Sequence, residues 1–257
     1  IGKEGRQAVN NADFAIGQFR FLVRLLLVHG SLSAYRLGRL IKYSFYKNVA
    51  FGMLLFFYQP YAGFSGQALV DDISAAAYNV LFTALPILAF AVADRPVRGL
   101  DTLVRYPQTY HPRGSLTTRA FWKNGVLMAT LDAAICFFVP YYARVAGGVA
   151  ASAPAARGAA GHAAAGVVDV YALGKTAFIA ILGVVSLEVG LVSRFWTLPF
   201  ALALLLSYAA VFPFQLVYPA ALEAVGTRDV AQFGVAARLF VSPRFWLVCL
   251  LCGLAAY

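Results

Sequence analysis

Six apolar runs, separated by more polar segments, constrain the fold of this 257-residue chain more than any other feature. A hydrocarbon core needs roughly 20 apolar residues of helix to cross it, and five of the runs have spanning length. The sixth ends at Tyr257 after 14 residues, so we expect the chain to stop within a helix or just before its end. The runs cover residues 43–64, 76–93, 121–143, 171–192, 195–218 and 244–257.

Composition supports a membrane protein. Apolar residues make up 61% of the chain and charged residues only 12%, whereas an ordinary soluble domain has about 25% charged residues. The sequence therefore predicts an all-α, polytopic bundle of six transmembrane helices.

The positions of the basic residues explain the net charge of +10. With a cytosolic N-terminus, the cytosolic segments carry fourteen Lys and Arg residues, the outer segments carry six, and Lys47 lies within the membrane. Such an excess on the cytosolic side is typical of membrane proteins. No segment offers a basic stripe interleaved with aromatic residues on a soluble surface, so we predict no nucleic-acid partner.

The first 42 residues differ from the rest, because residues 1–39 mix charged and apolar residues. From Asp13 onward, apolar residues recur at helical spacing among Gln18, Arg20 and Arg24, which predicts an amphipathic helix. We assign residues 1–34 to the edge of a cytosolic domain and residues 35–257 to the transmembrane domain.

Lys47 and Asn48 lie near the start of the first apolar run, where a charge costs at least about 2.5 kcal/mol. Such a charge normally faces a polar path or a partner, and an ammonium offers three donors to a phosphate or carboxylate. The alternative is that Lys47 extends toward the cytosolic surface and leaves its stem in lipid. Asn48 is too short for that, which favours a polar neighbour.

Polar residues also share a face of the second run, where Asn79, Thr83 and Pro86 are four and three residues apart. Pro86 lacks a backbone N–H, which predicts a kink with exposed carbonyl groups nearby. Lys47, Asn48, Asn79 and Thr83 are therefore the candidate residues of a polar groove for a lipid headgroup. For Asn79, a hydrogen bond between helices is an equal alternative.

Two acidic residues fall within the apolar runs. Asp132 lies about halfway along the third run, where a carboxylate pairs, takes up a proton or lines a path, and we predict internal pairing. Glu188 lies near the cytosolic end of the fourth run, close to Arg194, which predicts an interfacial charge.

Short motifs along the whole chain resemble those of the type IV P-type ATPases, the phospholipid flippases. The most specific are GKEGRQA at 2–8, QFRFL at 18–22, RLLLVHG at 24–30, FYKN at 45–48 and GFSGQ at 63–67. Further matches in the same order are FT at 82–83, LP at 85–86 and SP at 242–243. The resemblance implies the end of a phosphorylation domain, followed by the family's fifth to tenth spans.

The resemblance also implies an ATP-driven enzyme that moves phospholipid from the outer to the cytosolic leaflet through a phosphorylated aspartate, using ATP and Mg²⁺. The family's DKTGT and GDGxNDxxM sequences do not occur in this chain, so we expect no catalytic, cofactor or metal residues in it. Lys47 and Asn48 match the lysine and asparagine of the fifth span that affect lipid transport in this family.

Partners and location follow from the same resemblance. It implies a multi-pass protein of the plasma membrane or of Golgi and endosomal membranes. It also implies a two-span accessory glycoprotein, for which residues 62–75 and 219–243 are the candidate contacts. The Asp94-Arg95-Pro96 sequence departs from the acid-x-acid pair expected of the family, which leaves the role of the loop at 94–120 open.

Two other classes of function remain as alternatives. A cation-transporting P-type ATPase would place several acids and amides in these spans to coordinate ions. Here Asp132 and Glu188 stand nearly alone, and the first span carries a positive charge instead. A channel or secondary transporter would favour an internal repeat or matched broken helices, and the sequence has neither.

Overall fold

The computed structural model describes residues 9–96, 100–109, 117–143, 170–224 and 234–257. All regular structure within these ranges is helical, which confirms the prediction of an all-α protein. Residues 1–8 of the predicted cytosolic segment and residues 225–233 of the predicted outer loop at 219–243 lie outside the described ranges.

The first long helix, α1, covers Ser31–Tyr58 and continues without a break from Phe21–Arg24 and a π-helical segment at Leu25–Gly30. The helix therefore crosses residues 34 and 35, and the domain boundary there stays a prediction. Its C-terminal end comes earlier than the predicted residue 64, because Pro60 follows closely and Gly63 and Phe64 adopt positive φ angles of 60° and 54°.

The next two helices each contain a π-helical segment. Helix α2 covers Asp72–Ala93 and includes a π-helical segment at Tyr78–Phe82, whereas α3 covers Trp122–Tyr142 and starts with a π-helical segment at Trp122–Leu127. Helix α2 begins where the Asp71 carboxylate accepts a hydrogen bond from the Ser74 backbone N–H at 3.0 Å.

Helix α4, Val170–Val192, lies at the centre of the bundle and contacts α1, α2, α3 and the helices that follow. It is apolar on nearly all sides, as expected of a helix that other helices surround. Glycines allow the close approach of its neighbours: a Cβ on Gly174 would lie 2.1 Å from the Leu69 carbonyl oxygen, and one on Gly183 would lie 3.3 Å from the Tyr208 hydroxyl.

Three further helices complete the described bundle. Helix α5 consists of Leu198–Ala209 and Val211–Ala224, joined at Ala210, and the Thr197 hydroxyl caps its start. Helices α6, Val235–Val241, and α7, Pro243–Ala255, meet at an angle of 80°. The bend lies at Ser242, whose extended backbone is the conformation that a residue before proline prefers.

The number of spans differs from the prediction of six. In the described part of the chain, α2, α3, α4 and α5 are long and apolar enough to cross a membrane, and α6 with α7 adds a fifth if the bent pair is one span. Helix α1 is not among them, because Lys42, Lys47 and Asn48 reduce the hydropathy of its apolar part. Six spans are not confirmed.

Gly174→Ala should destabilise the protein by about 1–3 kcal/mol, because the new methyl group would collide with the Leu69 backbone. The measurement is the temperature at which the full-length protein loses its monodisperse elution. Gly52→Ala on α1 is the matched control, since no heavy atom lies within 4 Å of its Cβ position and alanine favours the helix. If Gly174→Ala and Gly52→Ala lost their monodisperse elution at the same temperature, the close contact between Gly174 and Leu69 would be contradicted.

Candidate functional site

The Lys47 side chain points into the bundle and is only 6% exposed. Its ammonium donates hydrogen bonds to Asn79 Oδ1 at 2.9 Å and to Thr83 Oγ1 at 2.8 Å, both on α2. The same nitrogen lies 5.7 Å from the centre of the Tyr78 ring, within the range of a cation–π contact. Lys47 therefore does not extend to the surface, and three of the four predicted residues come together.

Helix α2 forms this acceptor site because its regular hydrogen bonding stops around Thr83. The Thr83 hydroxyl donates to the Tyr78 carbonyl oxygen at 2.9 Å, and the Tyr78 hydroxyl donates to the Lys47 carbonyl oxygen at 2.8 Å. Pro86 follows and cannot donate to the preceding turn. A π-helical segment therefore lies where the kink is predicted, and the Thr83 oxygen accepts from the ammonium.

Asn48 and Asn79 differ in their surroundings. Asn79 is exposed, yet its side-chain oxygen accepts from Lys47, so the interhelical hydrogen bond considered above is present. Asn48 is exposed on α1, and among the described residues its side chain forms no hydrogen bond with Lys47, Asn79 or Thr83. We define the Lys47 cluster as Lys47, Tyr78, Asn79 and Thr83.

Asp132 pairs internally, as predicted. The Tyr46 hydroxyl donates to Asp132 Oδ2 at 2.5 Å, and both side chains are buried. Tyr46 precedes Lys47 on α1, so adjacent residues of one helix bind α3 and α2. Glu188 is half-buried on α4, and its Oε2 accepts from the Tyr257 hydroxyl at 3.2 Å.

Tyr46→Phe should destabilise the protein by about 1–3 kcal/mol, because the buried Asp132 carboxylate loses its donor. The double variant with Tyr46→Phe and Asp132→Ala should be destabilised little more than Asp132→Ala alone. A double-mutant cycle on thermal unfolding of the full-length protein measures this coupling. Strictly additive effects would show that the two groups do not interact.

A second lysine is also buried, which the sequence did not predict. Lys175 of α4 is 7% exposed and donates to Gln215 Oε1 of α5 at 2.7 Å. Lys175 is one of the six basic residues that the sequence places in the outer segments, whereas the structure buries its side chain in the bundle. The signal was available, because Lys175 lies inside the fourth apolar run as Lys47 lies inside the first.

The end of the bundle that holds Arg36, Arg39 and Arg194, here named the basic end, is organised around Asp94. Asp94 Oδ1 accepts from the backbone N–H groups of Arg194 and Phe195, each at 3.0 Å. Arg36 donates to the Asp94 carbonyl oxygen at 2.8 Å, and Arg39 lies 3.9 Å from Asp94 Oδ2. Asp94 thus connects the ends of α1, α2 and α4, a role that the sequence did not indicate.

A cavity of about 210 Å³ also opens at the basic end, lined by Arg39, Lys42, Asn124, Glu188 and Arg194 among others. No group of histidine, cysteine or acidic residues in the described ranges could hold a metal ion.

Comparison with known families decides the class of protein. Residues 9–257 match the family described as phospholipid-translocating P-type ATPase C-terminal. The chain belongs to this family. The match of the phospholipid-translocating ATPase C-terminal family covers all seven helices and every residue of the Lys47 cluster.

Curated members related to this C-terminal region extend well beyond it. The chain is 35% identical over 252 residues to a phospholipid-transporting ATPase of Schizosaccharomyces pombe, covering 95% of this chain and 18% of that protein. It is 32% identical to Phospholipid-transporting ATPase VD of Mus musculus over 97% of this chain, and 31% identical to Phospholipid-transporting ATPase VB of Homo sapiens over 99%. The chain spans 16% of the length of each of the latter two.

Proposed function

We propose that this chain is the C-terminal membrane segment of an ATP-driven phospholipid flippase that moves phospholipid from the outer to the cytosolic leaflet. The observation that carries the proposal is the buried Lys47 ammonium, held between α1 and α2 by neutral acceptors. Because Asn79 and Thr83 contribute no negative charge, the cation stays available to an anionic headgroup in a medium of low dielectric constant.

The Lys47 cluster carries the positive charge that binding of a lipid phosphate requires. Two of the three ammonium N–H groups bind α2, which leaves one donor for a ligand. In this proposal a phosphate approaches past the exposed Asn79 and binds Lys47. A cation-transporting pump is less well supported, because Asp132 already accepts from Tyr46.

The remaining features of the proposal concern topology and the rest of the protein. The basic end faces the cytosol, together with the N-terminus, which the excess of Arg residues there supports. Helix α1 crosses the membrane as the first of six spans and couples a phosphorylation domain, with its ATP and Mg²⁺, to the lipid path. A two-span accessory glycoprotein binds the outer loops, and the host is the plasma membrane or Golgi and endosomal membranes.

Uptake of fluorescent phospholipids by cells that carry the intact protein tests the function. Labelled phosphatidylserine, phosphatidylethanolamine and phosphatidylcholine are compared, and at least one should accumulate in the cytosolic leaflet in an ATP-dependent manner. A variant lacking the aspartate of the upstream DKTGT sequence is the control and should abolish uptake. Uptake that is unaffected by this variant for every headgroup would refute the proposal.

A further inference from the structure

A second polar cavity lies at the end of the bundle opposite the basic end. It has a volume of about 210 Å³ and lies between the segment before α2, the first turns of α2 and α4, and the middle of α5. Its charged and polar side chains include Asp71, Ser74, Lys175 and Gln215. We name it the Lys175 cavity.

Its polar groups are buried and incompletely paired. The Lys175 ammonium donates to Gln215 Oε1, and Gln215 is only 2% exposed. That bond uses one of three N–H donors. Ser74 is 1% exposed, and its hydroxyl finds no hydrogen-bond partner among the residues that the structure describes. A buried hydroxyl without a partner is destabilising, so its retention in a polar cavity points to a ligand.

The charges indicate what kind of ligand fits. Lys175 and the Ser74 hydroxyl are donors suited to phosphate oxygens. Asp71, half-buried beside them, has one carboxylate oxygen engaged by the Ser74 backbone N–H and would repel a bare anion. A molecule with a phosphate and an amine avoids this repulsion. The rings of Tyr171 and Phe178, which also line the cavity, favour a quaternary ammonium.

We propose that the Lys175 cavity binds the headgroup of a zwitterionic phospholipid, with the phosphate on Lys175 and Ser74 and the amine on Asp71. Because its ligand is a phospholipid, this site rests on the proposed function. Ser74 precedes Asn79 by five residues on α2, so the cavity lies about 8 Å along the helix axis from the Lys47 cluster. Two buried lysines thus face one helix at successive depths.

Gly174 shapes the wall of this cavity. The Leu69 carbonyl oxygen occupies the place where a Cβ of residue 174 would lie, at 2.1 Å. The missing side chain allows the segment before α2 to pack directly on α4 beside Lys175. The cavity therefore depends on a specific close contact between two segments distant in sequence.

The test uses the full-length protein in a maltoside detergent and measures how dihexanoyl phosphatidylcholine shifts its thermal unfolding temperature. The Lys47→Met variant weakens lipid binding at the Lys47 cluster. The lipid-induced shift in unfolding temperature that remains in this variant then measures lipid binding in the Lys175 cavity. Adding Lys175→Met should raise the half-saturating lipid concentration about tenfold or more, and adding Ser74→Ala should raise it at least about threefold. Ser74→Ala should not lower the unfolding temperature without lipid, since its hydroxyl has no partner to lose.

Ser207→Ala is the matched control, because Ser207 is another buried serine whose hydroxyl has no partner in the described residues and does not line the cavity. It should leave the lipid-induced shift unchanged. Inorganic phosphate at the same concentration should give a much smaller shift. An equal shift with phosphate would overturn the assignment to a zwitterion, and an unchanged lipid response in both Lys175→Met and Ser74→Ala would overturn the site. Failure of cells to take up any phospholipid would instead refute the proposed function.

Discussion

Lys47→Met in the full-length protein should lower lipid-stimulated ATP hydrolysis about 10- to 100-fold. The substitution keeps most of the side-chain volume but removes the ammonium that Asn79 and Thr83 hold between α1 and α2. A hydrogen bond to a charged group contributes about 1.5–3 kcal/mol, and each 1.4 kcal/mol changes a rate about tenfold. The measurement is phosphate release as a function of phospholipid concentration, normalised to the amount of folded protein.

Two further variants separate transport from folding. Lys123→Met removes an exposed lysine from α3 and should leave the lipid dependence unchanged. Thr83→Val removes one neutral acceptor and keeps the charge, so its effect on turnover should be several-fold smaller than that of Lys47→Met. If Lys47→Met retained the maximal rate and half-saturating lipid concentration of the unsubstituted protein, the lysine would be a structural group only.

Asp94→Ala should destabilise the protein by about 3–5 kcal/mol, the range measured when one member of a buried charged network is removed. The Asp94 side chain is fully buried, and its loss leaves the backbone N–H groups of Arg194 and Phe195 without their acceptor. Arg39, which also donates to the Val192 carbonyl oxygen, loses its ion pair. The ends of α2 and α4 should then separate more easily.

The measurement is thermal unfolding of the full-length protein, monitored by its monodisperse elution. Asp94→Asn should have a smaller effect, because its amide oxygen still accepts from the two backbone N–H groups. Asp101→Ala, an exposed acid in the short helix Leu100–Arg105, is the control and should change stability by no more than about 0.5 kcal/mol. Equal unfolding temperatures for Asp94→Ala and Asp101→Ala would contradict this role of Asp94.

Local pattern predicted where most of the helices lie, because apolar periodicity and run length act within one segment, but the helix predicted from Asp13 begins only at Phe21. Boundaries were less certain: α1 ends at Tyr58 rather than near residue 64, since Gly63 and Phe64 adopt positive φ angles. The count of spans was also uncertain, because the buried Lys47 and the exposed Asn48 lower the hydropathy of α1.

For the candidate site as well, the sequence predicted some features and the structure was needed for others. Lys47, Asn79 and Thr83 could be selected from the sequence, because a desolvated charge needs partners and the two polar residues share one face of α2. Their joint placement is found in the structure, while their role in lipid transport stays a prediction. Asn48 was selected for the same reason but lies exposed beside the cluster, since its position on α1 faces away from Thr83.

The sequence by itself determined that this chain forms apolar helices and which family it belongs to, and it predicted that Asp132 pairs within the bundle. Only the tertiary structure decided that Tyr46 pairs with Asp132, that Gln215 binds Lys175, and that Asp94 joins three helix ends. These partners are 40 to 100 residues apart. The physical reason is that periodicity fixes which face of a helix is buried, whereas a hydrogen bond between helices depends on their relative rotation and depth, which the packing of the whole bundle sets.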